Sequence, residues 1–107
     1  MLFNVTVHYK SFPHPDKGLP GPMEAQCNGA TVEDALEDLW RAFNHAIPGQ
    51  TGELAEKFKV RSMCVGDEVQ VGTDRWLCAG VGWVNLTEHP EALDNPFVQM
   101  HRQVHEG

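Results

Sequence analysis

One stretch with helical periodicity limits the fold more than any other feature of the sequence. Apolar side chains recur from Val32 to Phe43 at the spacing of a single helical face. Thr31 precedes them as an N-cap residue, and Asp34 completes a pattern close to a capping box. Because Pro48 follows, we predict a helix from Thr31 to about His45. Its apolar face must pack against another element, and a sheet is the simplest one.

Strand periodicity supplies that sheet. Residues Leu2–Tyr9 alternate apolar and polar side chains, as a half-buried strand does. A shorter alternation predicts a second strand over Phe58–Met63, and Gly80–Leu86 predicts a further short strand or a bulged continuation. Between them the sequence predicts a hairpin, Val65–Val71 followed by Trp76–Ala79.

The hairpin pattern also predicts a register. If Thr73 and Asp74 form a two-residue turn, Val71 faces Trp76 and Val69 faces Cys78. All four apolar side chains then share one face of the sheet.

The remaining segments frame a single domain over residues 1–107, the length of one ordinary domain. Ser11 to Met23 contains four prolines and two glycines, which predicts an exposed loop. Asn95 followed by Pro96 predicts a short helix within a C-terminal extension, 87–107. We therefore predict an α+β fold with the chain order β-α-β-β-β, in which an amphipathic helix packs on one face of an antiparallel sheet.

Charge and apolar patterning limit the classes of partner that the sequence favours. Fifteen acidic residues against eight basic ones give a net charge of −7, which disfavours direct nucleic-acid binding. Apolar runs fall far short of the ~20 residues that span a bilayer, and the start of the sequence lacks a basic targeting region. Three cysteines without a CxxC spacing indicate reduced thiols. We expect a cytoplasmic protein that does not bind membranes.

The sequence offers one candidate surface and one candidate anchor for a protein partner. Four carboxylates, those of Glu33, Asp34, Glu37 and Asp38, crowd the exposed side of the predicted helix. Such a patch can steer a basic partner, although a solvated helix face is the more ordinary interpretation. Trp83, next to a glycine near a strand end, is the candidate anchor because tryptophan is enriched at binding hot spots.

Catalytic and metal chemistry have weaker support. His101 and His105 have the i, i+4 spacing of two metal ligands, but no further ligand can be placed, so solvated histidines are the favoured interpretation. Cys78 falls on the predicted core face, and no basic cluster surrounds Cys64. We predict no catalytic residue, cofactor or metal, and not an enzyme.

A family resemblance covers about 23 residues, Arg61 to Trp83. The stretch Arg61–Val71, followed by Trp76–Cys78 and Gly82–Trp83, resembles the YodL-like small proteins of actinobacterial phages and plasmids. Cys64 replaces a usual serine, and Thr73–Asp74 replaces the commoner Asp-Gly turn. The resemblance implies a setting on mobile elements and brings no catalytic residues with it.

The same segment predicts a structural turn. Gly66 can adopt a positive φ, and the Asp67 carboxylate can accept from backbone amides. A buried or half-buried ion pair between Arg61 and Asp67 is a further hypothesis.

We therefore expect a non-catalytic accessory protein of phage or plasmid type that binds a host protein. One alternative is an acidic mimic of nucleic acid that inhibits a DNA-handling or defence protein, which requires a continuous acidic stripe. A second is a small cysteine- or metal-dependent enzyme, which requires Cys64 or the two histidines in a polar pocket. The sequence also allows a homodimer.

Overall fold

Five antiparallel strands form one sheet in the computed structural model, which describes residues 1–44, 52–79 and 82–103. The strands are β1 (Leu2–His8), β2 (Met23–Asn28), β3 (Glu68–Val71), β4 (Asp74–Cys78) and β5 (Trp83–Asn85). They lie in the order β2-β1-β3-β4-β5, so β2 and β5 are the edge strands. The predicted α+β class with an antiparallel sheet is confirmed.

The helices are α1 (Val32–Phe43), α2 (Glu53–Phe58) and α3 (Pro96–Arg102), with a short 3-10 helix at Pro90–Asp94. Thr31 caps α1 as predicted, because its Oγ1 accepts from the Asp34 amide at 3.1 Å. The helix ends at Phe43, and the predicted end at His45 lies outside the described residues. No helix in the described ranges is long and apolar enough to cross a membrane.

The two faces of the sheet bury different clusters. On one face, α1 packs against β2 and β1, and its Leu36 and Leu39 share a buried cluster with Val7 of β1 and Val69 of β3. On the other face, α3 and the 3-10 helix cover β4 and β5. There Val98 of α3 joins Leu77 and Leu86 in a second buried cluster. Asn95 caps α3 as predicted, with its Oδ1 accepting from the Phe97 amide at 2.8 Å.

Strand β2 was not predicted. Its apolar side chains, Met23, Ala25 and Cys27, do alternate, but Glu, Ala and Asn are poor strand formers. Pairing with β1 over six residues stabilises it, and the proline-rich segment therefore ends one residue earlier than predicted. The observed chain order begins β-β-α instead of β-α.

The predicted strand over Phe58–Met63 is wrong. Phe58 ends α2, and Lys59 adopts the left-handed conformation with φ of 56° as the C-cap. The chain then runs without regular structure to Asp67. Alternation over so few residues cannot distinguish a strand from the end of a helix.

The hairpin exists with a different turn. Gly72 and Thr73 occupy the turn instead of Thr73 and Asp74, because Gly72 takes the positive φ (60°) that a two-residue turn requires. Val69 therefore pairs with Trp76, and not with Cys78. A shift of two residues preserves the faces, so the predicted grouping of the four apolar side chains is confirmed.

Candidate functional site

A half-buried ion pair joins Arg61 and Asp67 within the segment that carries the family resemblance. Asp67 is fully buried, and both of its oxygens accept from the Arg61 guanidinium, at 2.7 and 2.9 Å. The same carboxylate accepts from the backbone amides of Lys10, Ser11 and Cys64 at 2.9 to 3.1 Å. Five donors on one buried carboxylate satisfy it fully. The hypothesis of an Arg61–Asp67 ion pair is confirmed.

Arg61 is itself held in place from several sides. Its guanidinium lies 4.2 Å from the centre of the Tyr9 ring, and the Tyr9 hydroxyl donates to the Arg61 carbonyl at 2.5 Å. Burial lowers the pKa of Arg61, but the hydrogen bonds and charge of Asp67 outweigh that effect and raise it. Burial also raises the pKa of Tyr9. The segment therefore has a structural role.

What this network fixes is the short backbone run Met63–Val65. The side chain of Asn44 donates to the Met63 carbonyl and accepts from the Met63 amide, both at 2.7 Å. Ser11 Oγ donates to the Val65 carbonyl at 2.6 Å, and the Cys64 amide donates to Asp67. Each residue of the run is thus held by a side chain from elsewhere in the chain.

Met63–Val65 forms one wall of a cleft with a volume of ≈ 420 Å³. Glu37 and Trp40 of α1 line it from one side, and Trp83 of β5 and His101 of α3 line it from the others. Trp40 is 38% exposed and Trp83 is half-buried. The cleft therefore presents two indole rings and one carboxylate around the hydrogen-bonded run Met63–Val65.

The four predicted carboxylates of α1 are all exposed on its solvent side. Successive residues point about 100° apart on a helix, so Glu37 and Asp38 lean toward different sides of α1. Glu37 lines the cleft, whereas Asp38 Oδ2 accepts from the Asn28 amide of β2 at 3.0 Å. Glu33 lies one turn before Glu37, and Asp34 one turn before Asp38. The structure places Glu37 and Trp83 in the lining of one cleft, whereas Asp38 bonds to β2.

Trp40 is the residue that sequence reasoning missed. Its position in the apolar series assigned it to the buried face of the helix. It lies at the edge of that face, where α1 no longer contacts the sheet, and this leaves one side of the ring exposed.

In the part of the chain that it describes, the structure gives no support for a metal site at His101. Its Nδ1 lies 2.6 Å from the Phe97 carbonyl one turn earlier, and its ring meets Phe12 edge-on at 5.2 Å. His105 lies outside the described residues. Within the described ranges, no group of three or more His, Cys, Asp or Glu side chains could hold a metal ion.

The Cys64 thiol should react slowly. Burial and the neighbouring Asp67 raise its pKa to about 12, so at pH 8 roughly one thiol in ten thousand is ionised. We expect its alkylation by iodoacetamide to be at least about 100-fold slower in the folded protein than in guanidinium, because the thiolate is the nucleophile. The rate should rise with pH up to the limit of folding. Peptide mapping by mass spectrometry distinguishes Cys64 from the other two cysteines, and equal rates in both states would contradict this expectation.

The fold and the cleft define a small α+β domain with an open, two-tryptophan groove between its helix and its sheet. No protein-family model, no curated protein and no solved structure matches the chain.

Proposed function

We propose that the protein is a non-catalytic accessory protein that binds a protein partner through the cleft between α1 and β5. The observation that carries this proposal is that Glu37, Trp40 and Trp83 line one cleft, around the hydrogen-bonded run Met63–Val65. Tryptophan in a preformed groove is the type of side chain that dominates binding energy at interfaces. The phage or plasmid setting implied by the resemblance to YodL-like proteins belongs to the same proposal.

The chemistry of the cleft favours a particular kind of partner segment. Its described lining contains no lysine or arginine, and Glu37 contributes a negative charge. The indole rings favour an apolar or aromatic anchor, and the carboxylate favours a neighbouring lysine or arginine on the partner. Glu33, one turn away on the same flank, extends the negative potential along α1.

A nucleic-acid mimic has less support. That function requires carboxylates in a continuous stripe, but the acidic run of α1 is interrupted one turn after Glu37 by Arg41, which is exposed. A protein partner therefore remains the better proposal.

The test is quantitative capture of partners with two charge-matched variants. Glu33→Gln/Glu37→Gln removes two charges beside the cleft, and Glu88→Gln/Glu91→Gln removes two exposed charges near the 3-10 helix. We expect the first variant to recover at least about tenfold less of the bound protein at low salt, because it loses charge complementarity at the interface. The control should recover as much as the wild type.

Trp40→Ala provides the second arm of this test. Trp40 is 38% exposed, so its removal also loses buried apolar area and lowers the midpoint of urea unfolding; under conditions where circular dichroism shows the variant folded, its affinity for the captured protein should fall about tenfold or more. Equal recovery by all four proteins at low salt would reject the cleft as the binding site.

A further inference from the structure

We infer that the outer edge of β2 is a second docking site, which accepts an extended basic segment of a partner as an added strand. This inference does not rest on the cleft, from which β2 is separated by α1. It begins with the hydrogen-bond pattern of the sheet edge.

The backbone of β2 presents unpaired groups in a known order. The Gly29 amide donates to the Met1 carbonyl at 3.1 Å, and the β1–β2 register continues from that pair. Hydrogen-bonded pairs alternate in an antiparallel ladder, so the amides and carbonyls of Glu24, Gln26 and Asn28 point away from β1. Asp38 confirms this direction, because its carboxylate accepts from the Asn28 amide. The outward backbone groups of Glu24 and Gln26 have no partner within the described residues.

β2 lacks most of the features that block strand addition. Native edge strands are protected by charged side chains, above all lysine, by proline, by bulges, by very short length or by a covering element. In β2, Glu24 supplies a single charge, and Asp38 occupies the outward amide of Asn28 alone. Met23–Asn28 contains no lysine or proline, pairs with β1 without a bulge, and is six residues long. The opposite edge, β5, has only three residues.

A depression at the same edge would receive side chains of an added strand. It has a volume of ≈ 320 Å³ and is lined by residues of β1 and β2, among them Asn4, Thr6, Glu24 and Gln26. These side chains share the face opposite to α1, since they alternate with Val5, Met23 and Cys27, which belong to the buried cluster of α1. In strand addition, backbone bonds give affinity and such depressions select the alternate side chains.

Charge selects the occupant. Glu24 lies on the outer face of the edge, and Asp38 lies on the face that α1 covers, so an added strand meets carboxylates on both faces. A second copy of this chain is disfavoured. Pairing two β2 strands about a two-fold axis leaves both α1 helices on one face and turns their Asp34 and Asp38 side chains toward each other. A basic segment finds opposite charge at the same positions.

The probe is a pool of seven-residue peptides with lysine or arginine at alternate positions and random apolar residues between them. A matched pool carries glutamate at the alternate positions. We expect the basic pool to contain peptides that bind the wild-type protein and slow amide exchange of Glu24 and Gln26 at least tenfold, while the acidic pool does not bind.

Two substitutions at one position isolate the backbone contribution. Gln26→Pro removes an outward amide that takes no part in the β1 ladder, so the fold tolerates it. Gln26→Thr removes the same side-chain amide and keeps the backbone N–H. We expect the selected peptides to bind Gln26→Pro at least tenfold more weakly and Gln26→Thr within threefold of the wild type. If Gln26→Pro fails to fold, the exchange data on the wild type decide.

Three outcomes would overturn the inference. They are the absence of any binder in the basic pool, binding of the selected peptides to Gln26→Pro as tight as to the wild type, and a lack of protection of the Glu24 and Gln26 amides by the peptides. A further control omits the peptide. If protection of these amides then rises with protein concentration, and sedimentation shows a dimer, the occupant of the edge is a second copy of the chain. Because every readout lies at β2, failure of the cleft proposal leaves these results unchanged.

Discussion

Replacing Asp67 with alanine is expected to lower the free energy of unfolding by about 3–5 kcal/mol, the range typical for the loss of one partner from a buried ion pair. The Asp67 carboxylate is fully buried and accepts five hydrogen bonds. Its removal leaves the Arg61 guanidinium without its counter-charge and three backbone amides without an acceptor. Native proteins have only about 5–15 kcal/mol of stability, so this loss removes from about one fifth of the stability to all of it.

Urea unfolding followed by circular dichroism measures this effect. Asp16→Ala is the control, because Asp16 is exposed in the proline-rich loop and its loss should change stability by no more than about 0.5 kcal/mol. Asp67→Asn should fall between the wild type and Asp67→Ala, since it keeps one acceptor oxygen but loses the charge. A cost for Asp67→Ala near that of Asp16→Ala would show that the ion pair does not stabilise the fold.

The elements that sequence reasoning identified are those with a long, uninterrupted period. β1 and α1 each carry such a pattern. The capping residues Thr31 and Asn95 act locally, so the sequence determines where α1 and α3 begin. β2 lacks strand-forming residues and exists because β1 offers it a partner, which is a tertiary effect. The error over Phe58–Met63 arose because Phe58 and Val60 suit a helix end and a strand equally well.

The candidate site was predicted in parts and not as a whole. Glu37 and Trp83 were both named, but as a helix patch and a separate anchor, because no local rule relates residues that far apart in sequence. Their proximity depends on the angle at which α1 crosses the sheet and on the position of Met63–Val65. The network that fixes that run could be foreseen only for Arg61 and Asp67, which lie close together in the chain. Asn44 and Ser11 contribute to it from distant segments.

Gly66→Ala should lower the free energy of unfolding by about 2–4 kcal/mol, for two reasons that can be separated. Gly66 has φ of 95°, where a residue with a Cβ is strained by about 1–3 kcal/mol. The added Cβ would also lie 2.2 Å from Ser11 Oγ, which would have to move and give up its hydrogen bond to Val65. The position requires glycine because Gly66 and Asp67 together oppose Cys78 in a bulge, with the Gly66 amide donating to the Cys78 carbonyl.

Gly72→Ala isolates the conformational part of this cost. Gly72 has φ of 60° but no atom within 4 Å of its Cβ position, so its substitution should be the milder one, at roughly 1–2 kcal/mol. Ser11→Ala removes the hydroxyl with which the Cβ of Gly66→Ala would clash. The double variant should therefore lose less free energy of unfolding than the two single variants lose in sum, by at least about 1 kcal/mol. If the loss in the double variant equals the sum of the single losses within about 0.5 kcal/mol, Ser11 and the Gly66 backbone are not in contact. The close packing of the bulge against Ser11 would then be wrong.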